Sequence, residues 1–391
     1  MSSRKIKKII TRFPNLECGF FAALLVYCLK VCRHLGITTG KLVWEFISTA
    51  TGVDNPDANP EIIYFNVGEG EYDQHGKERN RSLCEICSLD LIRETYNFLS
   101  GRPWIREIFQ LVRDNDVDGL AISSHPFNLR ELMTALSYNY QDKPQLVLDW
   151  LTLAFCGVFE CCKAGVPIKD VFTPEHMVQG VACFAPLQLE WFEELLTEAT
   201  ITVKRHRAWA NKAVKIAIDK GKFATINVPD IGDVKVLEVW CDSFKTGSAG
   251  RQAGYHIVIQ WNKDGHCQIH GGHIKEKLEN GSIIKRWIHL GMVAKELRLL
   301  EAKFRGRKIT PDQDWTKSGN IFFVENKTKI PWYLPEFVTS LYNGTMSSRD
   351  IPATVIGKPK LFEAVIQSLP KCKLVVQIDK NKKQILEVIT A

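Results

Sequence analysis

At 391 residues the chain exceeds the size at which a single hydrophobic core stops growing, so two domains are expected. Its 45% apolar and 24% charged residues are those of an ordinary globular protein, and a net charge of +7 is too small to demand nucleic acid or a membrane as partner. Twelve cysteines without a repeating framework, several inside apolar runs (Cys28, Cys156, Cys183), set aside a disulfide scaffold and suit a reducing compartment. The expected location is cytoplasmic, where the glycosylation patterns at Asn326 and Asn343 would be inert.

The basic start, with Arg4, Lys5, Lys7, Lys8 and Arg12, runs into Phe13-Pro14-Asn15 rather than an apolar core, so no signal peptide is read. The apolar run 18–29 is too short to span a bilayer, and the run 146–162 is interrupted by Asp149 and Glu160, so no membrane contact is expected. Cys84-Glu-Ile-Cys87 has zinc-like spacing, but no second pair follows at finger-like distance.

In chain order, residues 6–10 (Ile-Lys-Lys-Ile-Ile) predict a strand leading into the turn 11–17. Residues 19–31 carry an apolar helical stripe, which puts that turn at the positive end of a helix. The Pro-, Asn- and Asp-rich stretch 52–60 is a loop before a short central strand at Ile62 and Ile63, closed by Gly68 and Gly70. Asn66, Asp73 and His75 are thereby delivered to the edge of an open sheet where chemistry collects. Oxygen and imidazole groups there suit metal-assisted hydrolysis, and they suit an ordinary polar loop equally well.

Residues 82–99 and 104–112 predict helices, the second running into the acidic cluster Asp114, Asp116, Asp118. From 129 to 221 the pattern is almost wholly helical, with breaks at 142–144, 165–167 and 185–186 and a glycine after the last helix. That last helix carries Lys204, Arg205, Arg207, Lys212, Lys215, Lys220 and Lys222, a solvated face or a phosphate-binding strip. The texture then changes to short β-rich runs at 223–228, 234–239, 256–261 and 267–270, with a hairpin turn at 262–265. An amphipathic helix at 293–304 and a hairpin of 373–378 with 385–389 complete the chain.

Three segments together resemble the DHH phosphoesterases. Thr11-Arg-Phe-Pro-Asn-Leu-Glu17 resembles their first motif, a His soon followed by Pro-Asp-x-Asp. Tyr64-Phe-Asn66-Val-Gly68 resembles the strand ending in a metal-bridging Asp, and Tyr72-Asp73-Gln74-His75 resembles the Asp-His-His signature, with Asp114 or Asp116 placed for a further Asp. The branch most similar is that of the Myg-type exonucleases. The resemblance is sharpest in the first third and extends weakly through 297–301 and 341–345.

It implies an α/β fold: a doubly wound parallel sheet over residues 1–125, a helical continuation and connector over 126–221, and a smaller α+β domain over 222–391. It further implies a pair of Mn²⁺ ions, with Mg²⁺ as an alternative, and hydrolysis of phosphoesters, with Asp73 and His75 as catalytic residues. The implied metal ligands are Asn15, Glu17, Asn66, Asp73, Asp114 and Asp116, and Arg12, Gln74, His270 and His273 are the implied ligand-binding residues. His270-Gly-Gly-His273 is similar to an element with which second domains of the family touch substrate phosphates, and is otherwise a turn after a strand. Gly247-Ser-Ala-Gly250 with Arg251 reads as a phosphate-cradling loop or a hairpin tip.

The departures weigh as much as the match. Thr11 or Arg12 stands at the His, Asn15 and Glu17 at the two Asp, Asn66 at the bridging Asp, and Gln74 at a metal-binding His. Neutral amide oxygens lack the charge that holds paired transition metals, and Arg12 adds a permanent cation. The expected protein is therefore a degenerate member with little or no catalysis, binding a phosphate-containing ligand or a partner. The alternatives are an active phosphodiesterase with altered ligands, and a nucleic-acid-binding protein using the basic helix and Trp209.

Overall fold

A computed structural model describes residues 5–37, 41–47, 53–68, 70–73, 87–96, 102–117, 121–229, 231–277, 283–309, 312–319, 321, 323, 329–335, 339–344, 351–377 and 387–389. The chain divides into two compact units, Met1–Lys204 and Arg205–Ala391. Both mix helices and sheet, so the fold class is α/β in the broad sense.

In the first unit three short strands form a parallel sheet. β1 (Lys8–Thr11) lies between β2 (Val43–Phe46) and β3 (Ile62–Phe65), with Thr11 opposite both Phe46 and Phe65. The expected strands at 6–10 and 62–63 are therefore present, and β2 is an addition that its exposed, alternating Val-Trp-Glu-Phe did not announce. β1 passes through the turn 12–15 into α1 (Leu16–Tyr27), whose start is fixed by Asn15: its Oδ1 accepts the Cys18 amide at 3.0 Å. A short α2 (Leu29–Leu35) follows and ends on Gly36 in the left-handed region.

α1 is buried on two sides. Phe21 stacks on Phe65 of β3 with centroids 4.6 Å apart, while Phe20 meets Phe155 and Phe159 edge-on at 5.7 and 5.8 Å. Those two rings belong to α6 (Pro144–Lys163), which shares the unit with α3 (Ser88–Tyr96), α4 (Pro103–Val117), α5 (Leu129–Asn139) and α7 (Pro174–Phe184). α6 and α7 cross so closely that a Cβ on Gly180 would lie 2.0 Å from the Gly157 carbonyl. Among the described residues α6 is the one helix long and apolar enough to cross a membrane, and 67% of that stretch is buried within the protein. The breaks expected at 142–144, 165–167 and 185–186 all fall between helices, and α8 (Leu189–Asp219) closes the helical run. Asp114 and Asp116 ride on α4 itself, because that helix continues past 112 to Val117.

In the second unit β4 (Phe223–Val228), β5 (Gly232–Trp240), β6 (Ile257–Trp261), β7 (Cys267–Gly271) and β10 (Ser340–Tyr342) form one sheet, in the order β10-β7-β6-β5-β4. Only β5 and β6 run parallel, joined through the short helix α9 (Thr246–Gln252). Residues 247–250 are thus helical, where the sequence suggests a loop or hairpin tip. A second, antiparallel sheet has the order β12-β11-β9-β8, from β8 (His273–Lys277), β9 (Ile283–His289), β11 (Lys373–Gln377) and β12 (Glu387–Ile389).

Alternation along β5 and β6 sorts the apolar residues onto two faces. Val234, Val236, Ile257 and Ile259 join a core with Val293 and Leu297 of α10 (Gly291–Phe304) and Leu361 and Val365 of α11 (Lys358–Ser368). Leu237, Val239 and Val258 face Ala210, Val214 and Ala217 of α8. The described residues between 312 and 355 have little regular structure beyond β10, and several of them are fastened to α10 by two buried side chains. Arg298 donates to the carbonyls of Trp332, Trp315, Lys317 and Gly319 at 2.8–3.1 Å. One turn later Glu301 accepts from Trp332 Nε1, Thr354 Oγ1, the Val355 amide and Arg305 Nε at 2.6–3.1 Å. Asn343, read as a possible glycosylation position, is fully buried and donates to the carbonyls of Pro331 and Pro352. Asn326 and Cys84 lie outside the described residues.

Candidate functional site

In a sheet ordered β2-β1-β3 the chain leaves β1 toward one neighbour and later returns on the other side, an order for which the rule of open α/β sheets puts the crevice beyond the carboxyl ends of β1 and β3. The residues leaving those two ends meet there. Glu17, in the first turn of α1, is 1% exposed, and Asn66, directly after β3, is equally buried and takes a left-handed backbone with φ of 59°. Asn66 Nδ2 donates to Glu17 Oε2 at 2.5 Å, and Asn15 Nδ2 reaches the same oxygen at 3.5 Å.

The turn after Asn66 folds back beside β3. The Asn66 amide donates to the Tyr72 carbonyl at 3.1 Å, and Phe65 and Tyr72 form a single parallel bridge. This return, pinned where the Glu71 amide donates to Asp57 Oδ1, carries Asp73 into a position only 2% exposed.

Electrostatics identifies what else faces the crevice. Burial works against the charge of Arg12, and Asp116, Glu17, Cys18 and Asp73 more than offset it, so its pKa stands above the ordinary arginine value. Burial pushes the Glu17 carboxyl up to about 8, and Asp116 adds to the rise. Arg12, Cys87 and the Leu89 amide oppose it. Glu17 Oε1 and Asn66 Oδ1 are both buried without a hydrogen-bond partner. Both are acceptors.

The structure therefore gathers Arg12, Asn15, Glu17, Asn66, Asp73 and Asp116 at one sheet edge. Asp114 is engaged elsewhere: its Oδ1 accepts from Gln110 Nε2 one turn back along α4 at 2.6 Å. Gln74 and His75 lie outside the described residues. Sequence reasoning missed Cys87 and Leu89, at the start of α3, because they follow the crevice residues only in space.

These groups fit a pair of divalent ions poorly. Asn15 is occupied as a helix cap, Asn66 turns its donor nitrogen toward Glu17, and a guanidinium stands in the field of the carboxylates. Among the described residues no three His, Cys, Asp or Glu side chains are grouped to hold a metal.

His270 belongs to the other unit. Its ring lies beneath α9, where Gly247 leaves room for it, and pairs with Gln260 Oε1 at 3.2 Å. Burial, with Arg251 nearby, lowers its pKa to about 4. The two glycines that follow have packing reasons: a Cβ on Gly271 would lie 2.1 Å from the Thr339 carbonyl, and one on Gly272 would lie 2.9 Å from Arg251 Cδ. His273 opens β8. A cavity of about 410 Å³ nearby is lined by Ser248, Arg251, Gln252, Tyr255, His256 and Gly272, with no carboxylate. His256 Nδ1 accepts the Lys235 amide at 3.0 Å, which leaves the proton of the neutral ring on Nε2.

No family model and no curated protein matches the chain. Among solved structures, one described as the crystal structure of an uncharacterized protein from Helicobacter pylori G27 aligns with 68% of this chain and 86% of its own at 10% identity. Its TM-score is 0.24, too slight a likeness to bear on fold or function.

Proposed function

We propose that the crevice is a phosphoesterase-type metal centre of the DHH kind converted to a non-catalytic form, in which the Arg12 guanidinium takes the place of metal charge. One observation carries this reading: the carboxylates that raise the pKa of Arg12 are Asp116, Glu17 and Asp73, three of the positions that the resemblance assigns to metal ligands. An internal cation balances such a cluster permanently, whereas a divalent ion would have to enter against it. The strand order β2-β1-β3, with the gathered residues after β1 and β3, supports the doubly wound arrangement in the same proposal. The protein then acts by binding. Asn66 Oδ1, a buried acceptor without a hydrogen-bond partner, suits a ligand group that donates a hydrogen bond better than a bare phosphate.

An enzymatic reading has one observation in its favour, since a carboxyl titrating near 8 beside a crevice is suited to proton transfer at neutral pH. Elemental mass spectrometry after incubation with Mn²⁺, paired with hydrolysis of a generic phosphodiester, separates the two. The converted centre gives no bound metal and no turnover in the native protein, and Arg12→Ala raises Mn²⁺ affinity. Two metals per chain with turnover that Asp73→Asn abolishes would establish the enzyme instead.

A further inference from the structure

The cavity beside α9 is walled chiefly by hydrogen-bond donors. Residues 247–250 are helical, so loop amides form no cradle there and side chains carry the chemistry instead. Arg251, in the last turn of α9, lines the cavity, and Gly272 leaves room for its stem. Although the residue as a whole is exposed, the protein around its guanidinium works against the charge and lowers the pKa, which Tyr342 offsets only in part.

No carboxylate answers this cation. Among the described residues Arg251 forms neither an ion pair nor a hydrogen bond, whereas Arg298 has its four carbonyls and Arg305 has Glu301. The end of its own helix is already satisfied: the Ala249, Gly250 and Arg251 carbonyls accept the amides of Ala253, Tyr255 and Gly254 at 3.0–3.1 Å. The neighbouring groups are donors as well. The His256 carbonyl accepts the Gly272 amide at 2.7 Å and its Nδ1 accepts the Lys235 amide, so the Nε2 proton is what this half-buried ring has left to offer. Burial and then Lys235 lower its pKa, which keeps the ring neutral with that proton in place. The Tyr255 hydroxyl forms no hydrogen bond among the described residues, and burial raises its pKa, so it also remains a donor.

We propose that this cavity binds a small organic phosphate monoester, its oxyanion held by the Arg251 guanidinium and the His256 Nε2 proton, and its organic group lying against Tyr255. The number of donors decides the class. A guanidinium fork by itself occupies both oxygens of a carboxylate, whereas a phosphate monoester has a third oxygen for the imidazole and the phenol. The volume, about 410 Å³, lies in the range of small-molecule sites and is larger than one bare anion needs. Neither His270 nor His273 lines it. Every lining residue belongs to the second unit, so the assignment holds whatever occupies the crevice of the first.

Isothermal titration calorimetry of the full chain against phenyl phosphate and benzoate tests this. Phenyl phosphate is expected to bind once per chain, and benzoate, the same ring on a carboxylate, about tenfold or more weakly. Arg251→Gln keeps the stem that Gly272 accommodates but removes the charge, and should weaken phenyl phosphate about tenfold or more. Tyr255→Phe removes only a hydroxyl and should weaken it about threefold or more. Both variants should melt with the native protein, because neither lost group bonds to the rest of the chain. No binding up to about 10 mM phenyl phosphate, benzoate bound as tightly, or an affinity for phenyl phosphate that both variants leave intact would each overturn the proposal. In the last case the phosphate sits elsewhere, and its loss in Arg12→Ala would assign it to the crevice.

Discussion

Replacing Glu17 with glutamine isolates the most perturbed carboxyl of the crevice. Its pKa rises from an ordinary 4.5 to about 8, chiefly through burial. Between those values the folded protein keeps a proton that the unfolded chain has lost, so stability falls as pH rises through the window and levels off above it. Each pH unit costs about 1.4 kcal/mol while only the unfolded state titrates, so the window amounts to at most roughly 5 kcal/mol. At 1% exposure, solvent screening does little to reduce it. Glutamine keeps the shape and an acceptor for Asn66 but cannot ionise. Urea denaturation followed by far-ultraviolet circular dichroism, at half-unit steps from pH 4.5 to 9, should give two profiles that lie together near pH 4.5 and diverge with pH. The variant should be the more stable by a few kcal/mol at pH 8.5. A stability difference that stays constant across the series would refute the reasoning, because it would mean Glu17 ionises equally in both states.

His270 provides a complementary test in the other unit. Its folded pKa, lowered to about 4, makes the unfolded chain the better proton acceptor between about pH 6.5 and 4, so stability is lost as pH falls through that range. His270→Gln should flatten this acid limb, and an unchanged limb would contradict the assignment. Arg298→Lys should cost about 3–5 kcal/mol by denaturant titration, because one ammonium cannot reach four buried carbonyls, and a loss under about 1 kcal/mol would show that those carbonyls find other donors. Gly180→Ala must drive a methyl into the Gly157 carbonyl and should cost more than about 3 kcal/mol or prevent folding. Gly165→Ala, with open space around it but φ of 86°, should cost only about 1 kcal/mol. Thermal melts that rank the two the other way would contradict the crossing geometry.

What the sequence revealed and concealed divides along physical lines. Residues at strand ends were legible because strand, glycine and turn signals sit together in the chain: Asn66 and Asp73 follow β3 within eight residues, and Glu17 follows β1 within six. The helical run and its three breaks were legible from proline and apolar periodicity, and the β6–β7 hairpin from Asn262 to Gly265. β2 was hidden because an exposed four-residue strand buries too little to leave a pattern. The choice between Asp114 and Asp116 was open because they are two residues apart on one helix and so point to different sides, which only the packing of α4 decides. His256 and Tyr255 went unnoticed for the opposite reason, since their cavity is assembled from α9, the approach to β6 and the β7–β8 junction, and no one stretch holds it.

The Arg298 and Glu301 clamp limits how this protein can change in length. Two side chains one turn apart on α10 hold six particular positions between 312 and 355: Trp315, Lys317, Gly319, Trp332, Thr354 and Val355. A strand can slip its register and pair again, but a carbonyl held by one guanidinium has no neighbouring position to move to. Insertions between Trp315 and Gly319, where three carbonyls are held by the one guanidinium, are therefore expected to unfold the second unit.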